Sequence, residues 1–185
     1  MKQVLVLYAS THGHTAKIAS RIADVLERAG TPAEVRQADA KSDPVPADYA
    51  AVVVGASIHA GHHQREIIEW ARRHATSLGA MPSAFFSVSL SAADDTDEAR
   101  AVARKYLDDF VEETGWSPDR TASFAGALQY LEYDFFTRLL IKMMMHRGGH
   151  PTDASQDYDY TDWDEVVRFG RRVADLLLPA AARAS

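Results

Sequence analysis

The chain has 185 residues, 46% of them hydrophobic and 25% charged, with a formal net charge of −6 and no cysteine. That length allows one folded domain with a core and one insertion, but not a second domain. The acidity argues against general nucleic-acid binding, the missing cysteines exclude disulfides and thiolate chemistry, and no apolar run reaches the length of a membrane span, so a cytoplasmic protein is expected.

Residues 4–9, VLVLYA, are almost continuously apolar, as in a strand buried on both faces of a parallel sheet. The polar loop Ser10-Thr11-His12-Gly13-His14-Thr15 follows, then a helix with Ile18, Ala19, Ile22 and Val25 along one side. Such a junction aims backbone N–H groups and the helix dipole at one point. The hydroxyls of Ser10, Thr11 and Thr15 add donors, more than a helix cap needs, so the loop reads as a phosphate site. It has no lysine and no GxGxxG pattern, which disfavours a triphosphate or a dinucleotide.

Ala29-Gly30-Thr31-Pro32 stops the helix, and residues 33–36 give a second strand. A polar connection over 41–48 with one helical turn leads to a third strand at 50–56, AAVVVGA. Its loop, Ser57 to His63, precedes a helix at 64–78 that turns Ile67, Ile68, Trp70 and Ala71 inward. A fourth strand at 83–89, an acidic loop at 91–98, a helix to about 113 and a fifth strand at 120–128 follow. The last helix opens at Thr161-Asp162-Trp163-Asp164-Glu165, with Thr161 and Glu165 at cap distance, and ends before Pro179; residues 180–185 read as a frayed tail.

This is an α/β pattern: a doubly wound five-stranded parallel sheet of order 2-1-3-4-5, one domain over 1–178. The switch point falls between strands 1 and 3. There the phosphate loop and the Ser57–His63 loop flank a crevice that residues 89–95 close, with room for a flat ring. Residues 129–160 are an insertion before the last helix. Within it Arg138, Lys142 and His146 recur at i, i+4 and i+8, lining one helical face among Leu139, Leu140, Ile141, Met143, Met144 and Met145. An apolar helix with a basic stripe is either an ordinary core helix whose charges face solvent or one that touches a substrate or a membrane surface, and the three adjacent methionines suit a yielding contact.

Tyr8, Ser10, Gly13, Thr15 and Ala19 stand where the FMN-phosphate signature of flavodoxins wants an aromatic, two hydroxyls, a small residue and alanine. The chain resembles that family, which implies a flavodoxin-like fold and FMN. Over nearly its whole length it is similar to the quinone-dependent protoporphyrinogen dehydrogenases of bacterial haem synthesis. The similarity is carried by Val54-Gly55-Ala56-Ser57-Ile58, Gly61-His62, Met81-Pro82, Ala84-Phe85-Phe86-Ser87-Val88, Trp116-Ser117-Pro118, Ala125-Gly126, Ile141-Lys142, Gly148-Gly149 and Tyr160-Thr161-Asp162-Trp163.

The resemblance implies FMN-dependent oxidation of a porphyrinogen, protoporphyrinogen IX, with a quinone as acceptor and peripheral contact with the inner face of the cell membrane through 133–147. It implies cofactor contacts from Ser10, Thr11, His12, Gly13, His14 and Thr15, from Ala56, Ser57, Ile58, His59 and Gly61, and from Ser87, Val88, Ser89, Leu90 and Ser91. His59, His62 and His63 are candidate proton acceptors, because histidine titrates near neutrality. Their spacing on a glycine-containing loop reads as a surface or flavin-edge cluster rather than a metal site. Two stretches depart from the family. His59-Ala60 replaces Arg-Tyr, and acidic residues 94–98 replace a basic loop, which beside a flavin repels propionates. The alternatives are a one-electron carrier docking redox proteins, a binding module without turnover and an NAD(P)H-dependent quinone reductase. The ring loops offer Ile58, His59, Val88 and Leu90 but no Trp or Tyr to stack on a flavin, which leaves a ring face open to a substrate.

Overall fold

The computed structural model describes residues 2–39, 43–128 and 158–178. In chain order the elements are β1 (Val4–Ala9), α1 (His14–Arg28), β2 (Ala33–Gln37), β3 (Ala51–His59), β4 (His62–His63), α2 (Arg65–Gly79), β5 (Ser83–Ser89), α3 (Asp97–Thr114), β6 (Arg120–Ala125), β7 (Ala127–Leu128), β8 (Tyr158–Asp159) and α4 (Trp163–Leu176). The stripe Arg138, Lys142, His146 lies outside the described residues.

Five strands pair in parallel in the order β2-β1-β3-β5-β6, the expected doubly wound order. Alternation along β1 divides the core. Val4 and Val6 join Ile18, Ile22 and Leu26 of α1 and Val166, Phe169 and Val173 of α4 on one face of the sheet. Leu5 and Leu7 join Ile67, Trp70 and Ala71 of α2, Phe110 of α3 and Trp116 on the other. Each such buried side chain contributes about 1.5–3 kcal/mol of transfer free energy, so the two layers hold the strand ends, and the loops on them, in fixed places.

The third strand runs further than the sequence pattern suggests. It continues through Ser57, Ile58 and His59, then folds back as a hairpin in which Ile58 pairs with His63 and His59 with His62. The turn residues Ala60 and Gly61 both have positive φ, 50° and 85°. That is the left-handed pair a two-residue hairpin turn requires, and alanine occupies it at a cost. Ala60→Gly is therefore expected to raise stability by about 1 kcal/mol, read as a higher urea midpoint. A lower midpoint would show that the turn is not strained.

The caps differ from expectation at one helix. Asp162, not the Thr161–Glu165 pair, caps α4, its carboxylate accepting from the N–H groups of Asp164 and Glu165. Thr161 is engaged elsewhere: its hydroxyl donates to the carbonyl of Ala125 at 2.8 Å.

Candidate functional site

Beyond the carboxyl ends of β1, β3 and β5 lies a cleft lined by Ser10, Thr11, His12, His14, Thr15, Ser57, Ile58, His59, Val88, Ser89, Leu90 and Gly126. Its floor is the junction between β1 and α1. Gly13 takes a left-handed conformation, φ 78°, and its N–H donates to Ser10 Oγ at 2.9 Å, which curls the loop before the helix begins. The first N–H groups of a helix have no partner within it.

The other described α-helices meet that need with negative charge. Glu66 lies in the first turn of α2, Asp97 and Glu98 in that of α3, and Asp164 and Glu165 in that of α4. Helix α1 has neither an acid in its first turn nor a side-chain cap. Thr15 is 1% exposed, and its hydroxyl oxygen has no partner among the described residues. An uncapped N-terminus and an unpartnered buried hydroxyl suit an anion that accepts several hydrogen bonds, such as a phosphate monoester.

The side walls are tied together by a residue that sequence reasoning missed. Gln64 Nε2 donates to Ser57 Oγ and, at 3.3 Å, to Thr11 Oγ1, spanning from the hairpin to the phosphate loop. Nothing in local spacing announces this, because the contact joins residues 53 positions apart. Gly126, Asp159, Thr161 and Trp163 were missed for the same reason. The N–H of Gly126 donates to the carbonyl of Ser89 at the cleft. His14 Nε2 and Thr161 Oγ1 lie 2.6 Å apart, and the Trp163 ring stands edge-on to the His14 ring with centroids 6.0 Å apart.

Of the expected contacts, Gly13, Ala56, Gly61, Ser87 and Ser91 do not line the cleft. Gly13 and Gly61 shape its turns, Ala56 is in the core, and Ser91 sits in the short 3-10 turn over Leu90–Ala93. Ser87 is buried and shares a hydrogen bond with His63 Nε2 at 2.9 Å.

The three hairpin histidines do not form one cluster. Only His59 lines the cleft, its ring centroid 6.3 Å from that of His12. His62 pairs with His59 across the hairpin and is exposed. His63 turns the other way, edge-on to Phe85 and Phe110, and burial pushes its pKa down to about 4. That makes it a weak base, and it is buried outside the cleft lining, so neither its basicity nor its place suits the proton-acceptor role expected for it.

The acidic stretch also belongs elsewhere. Thr96 caps α3, accepting from the N–H of Ala99, while Asp95 and Asp97 both pair with Arg100. The wall of the cleft ends at Leu90, so these charges offset a helix dipole and an arginine rather than lining a ring site.

With this geometry in view, the comparisons with known proteins are specific. Residues 5–155 match the family described as flavodoxin domain. The chain is 38% identical over 177 residues to protoporphyrinogen IX dehydrogenase (quinone) of Escherichia coli strain K12, covering 94% of this chain and 96% of that one. It is 39% identical over 180 residues to the protein of the same description from Leishmania major, covering 97% and 78%. Among solved structures, oxidised flavodoxin 2 from Bacillus cereus shares the fold with a TM-score of 0.58 at 15% identity, over 94% of this chain and 98% of that one. The chain belongs to the flavodoxin-domain family and, within it, to the family of the quinone-dependent protoporphyrinogen IX dehydrogenases. That family implies FMN. The residues present fit it: the unpartnered Thr15 hydroxyl and the uncapped α1 suit its phosphate, and the cleft between Ser57–His59 and Val88–Leu90 suits a flat ring.

Proposed function

We propose that the protein oxidises protoporphyrinogen IX to protoporphyrin IX through bound FMN and passes the electrons to a quinone. The observation that carries this reading is the 38% identity to the Escherichia coli dehydrogenase across 94% of the chain. When bound, FMN supplies the two-electron chemistry that links donor to acceptor. The chain's own residues do the rest. The Ser10–Thr15 loop holds the phosphate, with Thr15 as a hydroxyl donor. Ser57, Ile58, Val88 and Ser89 hold the ring edges through their backbone groups.

Ile58, His59, Val88 and Leu90 border the ring space without a Trp or Tyr among them, which supports an open ring face and favours a small-molecule donor over the carrier reading. Protons released by the donor need acceptors, and His59, with His12 beside it, is positioned for that role. Peripheral membrane contact through the Arg138, Lys142, His146 stripe is the part of the proposal that rests on sequence spacing alone.

An anaerobic half-reaction tests the reading. Flavin absorbance of the FMN-loaded protein is expected to bleach rapidly on addition of protoporphyrinogen IX and to return on addition of a menaquinone analogue. A sample that photoreduces normally but does not bleach with the porphyrinogen would rule out the proposed donor.

A further inference from the structure

We propose that His14 adds to the phosphate loop's discrimination between a phosphorylated flavin and an unphosphorylated one by taking up a proton from solvent as the phosphate enters. This rests on the FMN reading above and adds to it a residue role and a proton count.

The argument begins with one hydroxyl. Thr161 Oγ1 lies 2.8 Å from the carbonyl oxygen of Ala125, which can only accept, and 2.6 Å from His14 Nε2. Its single proton goes to the carbonyl, so His14 Nε2 must carry a hydrogen and donate to Thr161. The neutral imidazole then has its lone pair at Nδ1. That atom is buried and has no partner among the described residues, although the ring lines the cleft. A lone pair is the wrong complement for a phosphate dianion. A proton at Nδ1 corrects this, making the ring a donor on both sides, to Thr161 and to the anion.

The surroundings hold the ring ready for that change. His14 is 6% exposed, and burial lowers its pKa so that it stands neutral before a ligand arrives. Among the described residues two charges act on it: Asp159 of β8, with Oδ1 3.6 Å from Nε2, favours the proton, and Lys17 of its own helix opposes it. From α4 it meets the uncharged Trp163 ring, and from β6 only the Ala125 carbonyl through Thr161. Asp159 is itself fixed, accepting from the N–H of Thr161 at 2.9 Å and from Trp163 Nε1 at 3.3 Å. A phosphate adds a second anion near a ring that already has one, and the two together favour the imidazolium. Riboflavin brings no charge and leaves the proton in solution.

Titration calorimetry of FMN into the ligand-free protein at pH 7.5, in two buffers of different ionisation enthalpy, reads the proton directly. The phosphate, with a second pKa of about 6, is already ionised there. About one proton is expected to enter per FMN, and Kd is expected to rise towards tenfold per pH unit above neutrality. Riboflavin is expected to show neither effect. His14→Asn keeps a donor but cannot titrate, so both effects are expected to vanish in it. In nitrogen-15 spectra, His14 is expected as the Nε2–H form in the free protein and as the doubly protonated ring with FMN. FMN binding without proton uptake, equal uptake in His14→Asn, or an Nδ1–H ring in the free protein would overturn this inference and leave the FMN reading standing. Failure to bind FMN at all would overturn both.

Discussion

Gly55→Ala is expected to destabilise the protein by roughly 2–3 kcal/mol, because the added methyl enters a ring that cannot move aside. Gly55 pairs with Phe86 across β3 and β5, and a Cβ at Gly55 would lie 2.0 Å from Phe86 Cζ and 2.5 Å from Cε1. The far end of a phenylalanine could swing away on a surface. Here Phe86 is fully buried, its centroid 5.7 Å from that of Phe124 and 6.3 Å from that of Phe169. In a chain of this size the melting temperature should fall by about 5–10 °C. Pairing the change with Phe86→Leu should recover part of the loss, since the clash is the shared cause. An unchanged melting temperature in Gly55→Ala would mean that the aromatic layer is looser than these contacts indicate.

The second large effect is a loss of stability in acid that traces to His63. Its pKa is about 4 in the folded chain, below the ordinary value of 6.5, because the ring is buried. The neutral form is the one that folding favours. The full contribution is therefore present above pH 6.5 and is lost as pH falls from 6.5 towards 4. The gap corresponds to roughly 3–4 kcal/mol, at about 1.4 kcal/mol per pKa unit, most of it lost by pH 4. Carboxylates also titrate near the lower end of that window, so the test is a difference. Urea unfolding of the native chain and of His63→Gln, which can still hydrogen-bond Ser87 but not titrate, should give stability curves that converge by about 3 kcal/mol as pH falls from 6.5 to 4. Curves that run parallel would dissociate the acid sensitivity from this residue.

The parts of the fold legible in the sequence are those set by short-range pattern. Residues 51–54, AVVV, could only be a buried strand, and the hydroxyl-rich loop after β1 could be recognised because its donors are consecutive. The strand order followed from alternating strand and helix signals. What stayed illegible depends on contacts between distant residues. Ser57 to His63 is polar and contains a glycine, so it read as a loop. In fact β3 carries on through it, and the alternation of the hairpin sends His59 and His63 to opposite sides, one to the cleft and one to the aromatic core. Thr161 read as half of a capping pair because its spacing allowed it. The Ala125 carbonyl and His14, 36 and 147 positions away, claim its hydroxyl instead, and Asp162 takes the cap. The acidic stretch 94–98 was correctly seen as a charge cluster, but composition could not say which way it faces.

The small ladder between β7 and β8 fixes where the chain leaves the main sheet and where it returns. The backbone leaves the main sheet at Gly126, and Leu128 stands directly opposite Tyr158, Ala127 opposite Asp159. Exit and return therefore share one clasp, and the N–H of Tyr160 donates back to the carbonyl of Gly126 beside the cleft. The strands of the five-stranded parallel sheet all precede Gly126, so that sheet is complete in sequence before the exit, and the pairing of β7 with β8 sets the exit and the return side by side. The return places Asp159 and Thr161 against His14, so the two ends of the clasp also close one side of the cleft.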